Sequence, residues 1–431
     1  MGIIGTLYEQ FVKYQRVTTD SRSIEKGAIF FALKGDNFNG NHFALDALSK
    51  GAEIAVVDDI NLKNKKGCIY TENVLLCLQK LAKYHREQLS IPIIGLTGSN
   101  GKTTTKELIR QALACKYKVV ATQGNLNNHI GVPLTLLSIS KSDEIAIIEM
   151  GANHVGEIQT LCNIAQPTFG LITNIGRAHI GGFGGFEGVI KAKTELFGYM
   201  KDNNGTIFFN ADNDLINGKI SEFNLSKSSI DYSIKSFNAK TIPGREPFLS
   251  VSLSFPNNNY LIHTNLTGSY NLENILAACR IATHFGVEPK MIKESIESYT
   301  PSNSRSQVVD TPQNRVILDA YNANPSSMEA ALANFASLPS DKGKVAIIGE
   351  MLELGEYADA EHNRIVGIAT RFDFEQILLV GTLFPKSHPA TKWFETSQEC
   401  LKYLKRNPQK EKLILVKGSR GTRMEVVMDA L

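Results

Sequence analysis

A glycine-rich segment that ends in a lysine is the part of the sequence best suited to chemistry. Residues 95–105 read Gly-Leu-Thr-Gly-Ser-Asn-Gly-Lys-Thr-Thr-Thr and lie between an apolar run and a segment of helical period. Inward-pointing backbone N–H groups and a helix N-terminus would bind phosphates there. Lys102 can reach the terminal phosphates and the Thr103 hydroxyl can ligate Mg²⁺. Leu96 stands where the usual pattern has its first glycine, and the alternative is a glycine turn with a solvated lysine.

Two further candidates follow apolar runs, at the strand ends where ligands bind in open α/β sheets. Glu149 closes the run from 144 to 148 and can hold the Mg²⁺ of a nucleotide. His179 comes shortly after the run from 170 to 176. Taken singly, these residues have plain alternatives, a strand-end carboxylate and a surface or capping histidine. The glycine-rich segment favours the functional interpretation.

Lys193 is the least expected candidate, because helical spacing gives it an apolar face. Desolvation lowers the pKa of a lysine and favours its neutral amine. Lys193 is then a nucleophile, a site that adds carbon dioxide to become a carbamate, or a lysine that snorkels to solvent. The apolar residues that share its face are Val189, Ile190, Leu196, Phe197 and Met200.

Three more polar residues stand near the ends of predicted elements. Asn274 comes before the last predicted central helix, Arg305 lies in the predicted linker region and Asp319 ends an apolar run. Each has a capping or surface alternative. Together they could let the last part of the chain close over a nucleotide bound by the central part.

These residues need a scaffold of strands and helices. Short β-like runs alternate with longer helical segments along most of the chain, which is typical of parallel sheets built from βαβ units. The predicted fold class is α/β, with polar hairpins at 224–271 and a linker and hinge at 300–304. We expect a small α/β domain at 1–88, a central domain with a mostly parallel sheet at 89–300 and a Rossmann-like domain at 301–431.

The composition of the 431 residues excludes several classes of protein. With 42% hydrophobic and 21% charged residues, the chain is neither disordered nor fibrous. Lys and Arg number 46 against 43 Asp and Glu, so no broad field attracts nucleic acid or an anionic membrane. No run approaches the roughly 20 apolar residues of a membrane helix, and no signal-peptide pattern opens the sequence. Six scattered cysteines suit a reducing compartment, and we expect a cytoplasmic protein.

Over essentially its whole length the sequence resembles the Mur ligases, the ATP-dependent amide ligases of peptidoglycan synthesis. Residues 97–104 are similar to the phosphate loop of the family, including its departure from the usual spacing. Glu149 and His179 match two metal-ligand motifs, and Lys193 matches the lysine that the family carbamylates. Residues 268–274 resemble a G-x-H-N-x-x-N segment near the adenine, with a tyrosine in place of the usual histidine.

Further segments resemble the branch of the family that joins D-alanyl-D-alanine to UDP-N-acetylmuramoyl-tripeptide. The branch that adds the third peptide residue usually carries an Asp-Asn-Pro-Arg-type motif, which is absent here. Folylpolyglutamate synthetases lack the first domain. The matching segments are 19–22, 35–40, 124–131, 149–154, 319–325, 349–355 and 417–420.

The resemblance implies a reaction in which ATP phosphorylates the tripeptide carboxylate and the dipeptide amine attacks the acyl phosphate. The products are UDP-N-acetylmuramoyl-pentapeptide, ADP and phosphate. Two Mg²⁺ ions are implied, the first at Thr103 and Glu149 and the second at His179 and a CO₂-derived carbamate on Lys193. Lys102 would contact the β- and γ-phosphates.

The resemblance also assigns binding roles. It implies a UDP-binding first domain, a central P-loop domain for the mononucleotide and a closing C-terminal domain in a monomer. Ser21 and Arg22 would receive the UDP end, Asn127 would bind substrate, and Asn322 and Asn324 would lie near the dipeptide. The ATP contacts would be Thr97, Gly98, Ser99, Asn100, Gly101, Lys102, Thr103 and Thr104, with Asn274 at the adenine, Arg305 at the phosphates and Asp319 at the ribose.

Three alternatives stay open at this point. A P-loop switch or motor would hydrolyse ATP to change the binding of a partner and would need no amine acceptor. A catalytically silent scaffold would keep the fold without turnover. Within the family, the ligase that adds the third residue is the nearest competitor. The sequence leaves lysine and diaminopimelate open as the third residue of the accepted tripeptide.

Overall fold

The computed structural model describes residues 2–256, 258–302 and 304–431. Its first part holds a four-stranded parallel sheet of order β1-β2-β5-β6 and a two-stranded hairpin, β3-β4. The strands are β1 (Val17–Thr18), β2 (Ile29–Phe31), β3 (Lys34–Gly35), β4 (Phe38–Asn39), β5 (Ile54–Val57) and β6 (Cys68–Tyr70); the helices are α1 (Ile3–Tyr14), α2 (Ala44–Ser49) and α3 (Val74–Glu87).

The second part is built on a six-stranded parallel sheet of order β12-β11-β10-β7-β9-β8. Its strands are β7 (Ile93–Thr97), β8 (Val119–Ala121), β9 (Ile145–Glu149), β10 (Phe169–Ile172), β11 (Thr206–Asn210) and β12 (Ser229–Tyr232). The helices are α4 (Lys102–Ala114), α5 (Gly131–Leu137), α6 (Glu157–Ala165), α7 (Ile180–Phe183), α8 (Phe186–Asp202), α9 (Asp214–Glu222), α10 (Asn271–His284) and α11 (Pro289–Ser298).

Three antiparallel strands adjoin this part of the chain: β13 (Lys240–Ile242), β14 (Phe248–Phe255) and β15 (Asn258–Thr267). The prediction of polar hairpins is confirmed for these strands and wrong for β12, which joins the central sheet in parallel. The strand β12 was missed because its sequence, Ser-Ile-Asp-Tyr, carries only two apolar residues at an exposed sheet edge.

The third part holds a sheet of order β16-β17-β21-β18-β19-β20, parallel except for the edge strand β16. Its strands are β16 (Gln307–Asp310), β17 (Arg315–Asp319), β18 (Lys344–Gly349), β19 (Gln376–Val380), β20 (Lys392–Phe394) and β21 (Leu413–Lys417). Its helices are α12 (Pro325–Ser337), α13 (Ala358–Ala369) and α14 (Ser397–Arg406).

The first and second parts pack together through α3. His85 Nε2 lies 2.9 Å from the Ile139 carbonyl oxygen, and Arg86 Nε donates to the Ala165 carbonyl at 3.1 Å. The buried face of α3 therefore belongs to the same apolar core as α5 and α6. The predicted α/β class is confirmed. The boundaries after residues 88 and 300 stay predictions, and Asn303 of the expected hinge lies outside the described residues.

Candidate active site

A cleft of about 860 Å³ opens between the second and third parts, at the carboxyl ends of β7, β9, β17 and β21. Parallel strands bring their carboxyl ends to one sheet edge, so the site forms where two such edges face each other. The predicted residues that line it are Ser99, Asn100, Gly101, Lys102, Thr103, Thr104, Asn127, Glu149, His179, Asn274, Arg305, Asp319, Asn322 and Asn324.

The predicted phosphate loop connects β7 to α4. Gly98 lies so close to β10 that a Cβ atom there would stand 2.0 Å from Thr173 Oγ1. Gly101 caps α4 with φ at 76°, which a glycine adopts without strain. Lys102 Nζ donates to the Gly98 carbonyl at 2.7 Å, and its pKa is lowered by burial, with the charge of Arg305 adding to the effect and that of Glu149 opposing it.

Glu149 ends β9 with its side chain 1% exposed. Its Oε1 accepts from Asn127 Nδ2 at 2.9 Å and from Thr103 Oγ1 at 3.3 Å. No described residue donates to the buried Oε2. A buried carboxylate oxygen without a donor, beside a threonine hydroxyl, is an oxygen donor set that suits Mg²⁺.

His179 faces the third part of the chain. Its Nδ1 lies 2.5 Å from Glu353 Oε2, so a carboxylate of the third part stands directly beside this ring. His179 has φ at 55° and Glu353 has φ at 67°, and left-handed backbone at residues other than glycine concentrates at functional sites. The neighbouring His179 ring lowers the pKa of the Glu353 carboxyl.

Lys193 projects from α8 into the protein and is 1% exposed. Its Nζ lies 5.2 Å from the centre of the Phe183 ring. Burial, with the charge of Lys102 adding to it, lowers the pKa of Lys193 to about 7, against the opposing carboxylates of Glu157 and Glu195. A large fraction of this amine is therefore neutral near neutral pH. Within the described ranges, no cluster of three His, Cys, Asp or Glu side chains is placed to hold a metal ion.

The opposite wall of the cleft belongs to the third part. Asp319 ends β17 and its Oδ2 lies 2.5 Å from the buried Lys417 Nζ. The Arg305 guanidinium stands 3.7 Å from the centre of the Tyr321 ring. Ser306 N donates to Asp319 Oδ1 at 3.2 Å, so the segment after the expected hinge is attached to this wall.

Several hydrogen bonds and ion pairs of the described residues cross the cleft and join its two walls. Asn324 Nδ2 donates to Asn100 Oδ1 of the phosphate loop at 2.7 Å. Arg177 donates to the buried carboxylate of Glu361 at 2.6 Å, and its backbone N–H donates to Ser326 Oγ at 2.9 Å. The second and third parts are thus in contact over the phosphate loop.

Asn274 and Tyr270 lie at the base of α10. Asn274 Oδ1 accepts from Thr105 Oγ1 at 2.9 Å and its Nδ2 donates to Asn271 Oδ1 at 2.7 Å, so this amide positions α10 against α4. Tyr270 OH lies 3.2 Å from Ser306 Oγ, and burial raises the pKa of its phenol. The tyrosine thus links α10 to the segment that carries Arg305.

Ser21 and Arg22 lie apart from the cleft, in the turn after β1. Arg22 pairs with Asp20, Nη2 to Oδ2 at 2.8 Å, and the Ser21 carbonyl accepts from Lys50 Nζ at 3.1 Å. The structure thus places these two residues on the first domain and leaves their predicted role as a prediction.

Several described residues that line or support the cleft were not predicted from the sequence. Glu353 pairs with His179, and Lys417 pairs with Asp319. Lys106 is 1% exposed, and its Nζ contacts the carbonyl of Thr122, whose hydroxyl accepts from Glu149 N. Lys106 could have been predicted from its spacing, because it lies one helical turn after Lys102. Glu353 and Lys417 could not, because their pairings join segments that are distant in the sequence.

Three family models match the chain in order. They are the Mur ligase family catalytic domain at 13–92, the Mur ligase middle domain at 96–282 and the Mur ligase glutamate ligase domain at 304–420. The chain therefore belongs to the Mur ligase family.

Several curated relatives that cover nearly the whole chain share one ligase name. The UDP-N-acetylmuramoyl-tripeptide–D-alanyl-D-alanine ligase of Bacillus subtilis is 32% identical, over 99% of this chain and 96% of the relative. The crystal structure of MurF from Acinetobacter baumannii matches with a TM-score of 0.87 and 31% identity, over 96% of this chain and 93% of that one. The MurF ligase of Thermotoga maritima, solved with ADP, shares the fold at a TM-score of 0.81 and 24% identity, over 96% of each chain.

Proposed function

We propose that the chain is an ATP-dependent amide ligase that joins D-alanyl-D-alanine to UDP-N-acetylmuramoyl-tripeptide. The observation that carries this proposal is one cleft in which a phosphate loop, a buried carboxylate and a wall of the C-terminal domain meet. The names of the full-length relatives in Bacillus subtilis and Acinetobacter baumannii support the choice of substrates. The absence of an Asp-Asn-Pro-Arg-type motif argues against the ligase that adds the third residue.

The first step is phosphoryl transfer. A carboxylate oxygen of the tripeptide attacks the γ-phosphorus of ATP, the bond from that phosphorus to the bridging oxygen breaks, and ADP leaves. Such a transfer depends mainly on positioning and on neutralising charge. Lys102 would leave the Gly98 and Ser99 carbonyls and turn to the phosphates, with Arg305 on the facing wall.

The second step forms the amide. The dipeptide amine attacks the carbonyl carbon of the acyl phosphate, loses a proton, and phosphate leaves from the tetrahedral intermediate. Water would hydrolyse the acyl phosphate in an open cleft. The contacts of Asn324 with Asn100 and of Glu361 with Arg177 hold the C-terminal domain over the loop and exclude that water.

Thr103 and Glu149 would hold a Mg²⁺ ion, since Glu149 Oε2 is buried without a donor among the described residues. When bound, the ion neutralises phosphate charge in the transition state. Asn127 orients the carboxylate through Oε1, and its predicted substrate contact stays a prediction.

We also propose that Lys193 carries a carbamate. Its neutral amine would form an N–C bond with carbon dioxide and release a proton, which converts a buried cation into an anion. That anion, with His179, would hold a second Mg²⁺ ion. The test is ¹³C NMR of the protein with ¹³C-bicarbonate: a carbamate signal that is lost in Lys193→Met and kept in Lys191→Met supports the modification, and an unchanged signal in Lys193→Met refutes it.

We place the reaction in the cytoplasm of the cell and in a monomer. All six cysteines are free, which suits a reducing compartment. Across the described residues, no helix has the length and apolar character needed to span a bilayer. The cleft is formed within one chain, so no second copy is needed to complete it.

The proposed reaction is tested by phosphate release with ATP and Mg²⁺. UDP-N-acetylmuramoyl-tripeptide and D-alanyl-D-alanine are added separately and then together, and the product is identified by mass spectrometry. Turnover only with both substrates and the mass of the pentapeptide product are expected. Turnover at the same rate with and without the two substrates would instead support a nucleotide switch. No turnover under any condition would support a silent scaffold.

A further inference from the structure

An acceptor dipeptide brings two charged ends into the cleft. Its amine must reach the acyl phosphate, and its carboxylate needs a cation of its own. The described residues that line the cleft include four basic side chains other than histidine: Lys102, Arg305, Lys417 and Arg420. This inference rests on the proposed function and asks which of the four binds the acceptor carboxylate.

Two of the four are already engaged. Lys417 is 2% exposed and pairs with Asp319 at 2.5 Å, so its charge is used inside the C-terminal wall. Lys102 lies on the carbonyls of the phosphate loop, where the terminal phosphates would bind. Neither lysine is therefore available to bind the acceptor carboxylate on the side of the cleft away from the phosphate loop.

The two guanidiniums are the remaining cations. Both lie against Tyr321, Arg305 at 3.7 Å and Arg420 at 5.7 Å from the ring centre, and neither has a carboxylate partner in the part of the chain that the structure describes. Arg305 is the predicted phosphate contact, and its neighbour Ser306 is attached to the C-terminal wall through Asp319 Oδ1. Arg420 follows β21 in an exposed turn and lines the cleft from the C-terminal domain.

The surface beside Arg420 is apolar and fixed. Leu352 is 37% exposed and lines the cleft, and it packs so closely on Gly421 that a Cβ atom there would lie 2.6 Å from Leu352 Cδ1. Leu352 N donates to Ser419 Oγ at 3.0 Å, and this hydroxyl donates to the Ala323 carbonyl at 3.3 Å. An unpaired guanidinium beside an exposed leucine suits a small amino acid with a free carboxylate and a methyl side chain.

We propose that Arg420 binds the carboxylate of the acceptor dipeptide and that Leu352 contacts its methyl groups. Leu352 precedes Glu353, which reaches His179 across the cleft, so this surface continues toward the reacting end. An extended dipeptide spans about 7 Å. Arg420 thereby selects an acceptor with a free carboxylate and holds it so that the amine points back toward the loop.

The test is steady-state kinetics of Arg420→Gln, with Arg420→Lys and Arg423→Gln beside it. Loss of a charge-assisted hydrogen bond should raise the KM for D-alanyl-D-alanine by about 10- to 100-fold, with the KM for ATP and for the UDP-linked tripeptide within about 2-fold of the parent. Arg420→Lys should recover part of the loss. Arg423 is exposed and outside the cleft lining, so its variant should behave as the parent does.

The second arm replaces the dipeptide by D-alanyl-D-alaninamide, which lacks the carboxylate. The parent should use the amide about 10- to 100-fold less well than the acid, and Arg420→Gln should use both about equally. Two results would overturn the proposal. In the first, Arg420→Gln prefers the acid over the amide as strongly as the parent does. In the second, the substitution raises the KM for ATP alone. Absence of dipeptide-dependent turnover in the parent would refute the ligase function itself, so the two failures are distinguishable.

Discussion

Glu149 shows how far single residues can be predicted from a sequence. An apolar run that ends in a carboxylate predicts a strand-end ligand, and the structure places that carboxylate 3.3 Å from Thr103 Oγ1. The burial of Lys193 likewise follows from helical spacing. The partner of His179 could not be predicted, because Glu353 comes from a different domain and no local pattern connects them.

Replacement of Glu149 by glutamine should lower kcat by at least about 100-fold, because a neutral amide removes several kcal/mol of charge stabilisation. The change keeps the side-chain volume, so the fold should remain. Glu144→Gln is the matched control, since Glu144 precedes the same strand at its far end and accepts from Lys118 N. Phosphate release at a series of Mg²⁺ concentrations is the measurement, and parent-like activity of Glu149→Gln would contradict the assigned role.

Alanine at Gly98 should destabilise the protein by about 2–4 kcal/mol, since the new Cβ would overlap Thr173 Oγ1. Gly156 is a matched control: its φ is also positive, at 94°, but nothing lies within 4 Å of a Cβ there. Gly156→Ala should therefore cost only about 1–2 kcal/mol. Urea unfolding measures the unfolding free energy of both variants. Equal losses of stability would show that the close approach to β10 is not the reason for glycine at position 98.

Among the secondary-structure elements, an apolar run was sufficient to predict a strand where that strand is buried on both faces. The apolar runs at 144–148 and 170–176 contain most of β9 and β10. The short strand β8 and the edge strand β12 were missed, because three residues or a half-exposed edge leave little periodicity. The order of strands in each sheet depends on long-range pairing and could not be read from local pattern.

His362 of α13 fixes the loop that delivers Glu353. Its Nε2 accepts from Met351 N at 3.0 Å and its Nδ1 lies 2.7 Å from the Ala358 carbonyl oxygen. Burial lowers the pKa of His362, against the opposing charges of Glu350, Asp359 and Glu361. The unfolded chain therefore takes up this proton at a higher pH than the folded protein does.

Unfolding free energy should fall as the pH is lowered from 7 through the ordinary histidine range, because the unfolded state binds the extra proton. His362→Gln should be less stable at pH 7 and should show a flatter dependence on pH. His42→Gln, at an exposed histidine, should keep the slope of the parent. Burial lowers the pKa of His85 as well, so part of the slope remains in every variant. An unchanged slope in His362→Gln would contradict this account.

Within the whole molecule, the candidate active site lies between the second and third parts of the chain. The α/β class and the three-domain order could be predicted from the alternation of runs. The closed contact of the C-terminal domain with the phosphate loop could not, since it depends on side chains from distant segments, such as Asn324 and Asn100. Closure of this kind shields an acyl phosphate from water.

Glu361→Gln should shift the protein toward a more open arrangement. Glu361 is buried and joins Arg177 of the central domain to Arg364 of its own helix. Glu329→Gln is the matched control, because among the described residues Glu329 pairs with Arg364 alone and this pair stays within the C-terminal domain. Small-angle scattering without nucleotide should give a larger radius of gyration for Glu361→Gln alone. Equal values for the two variants would mean that this contact does not hold the domains together.

In the proposed reaction, ATP activates a carboxylate as an acyl phosphate before the amine attacks. The most direct measurement uses UDP-N-acetylmuramoyl-tripeptide labelled with ¹⁸O in its terminal carboxylate, with unlabelled ATP, water and D-alanyl-D-alanine. One labelled oxygen should appear in each phosphate released, because the attacking carboxylate oxygen leaves with the phosphorus. Phosphate free of the label, formed together with the pentapeptide, would contradict the mechanism.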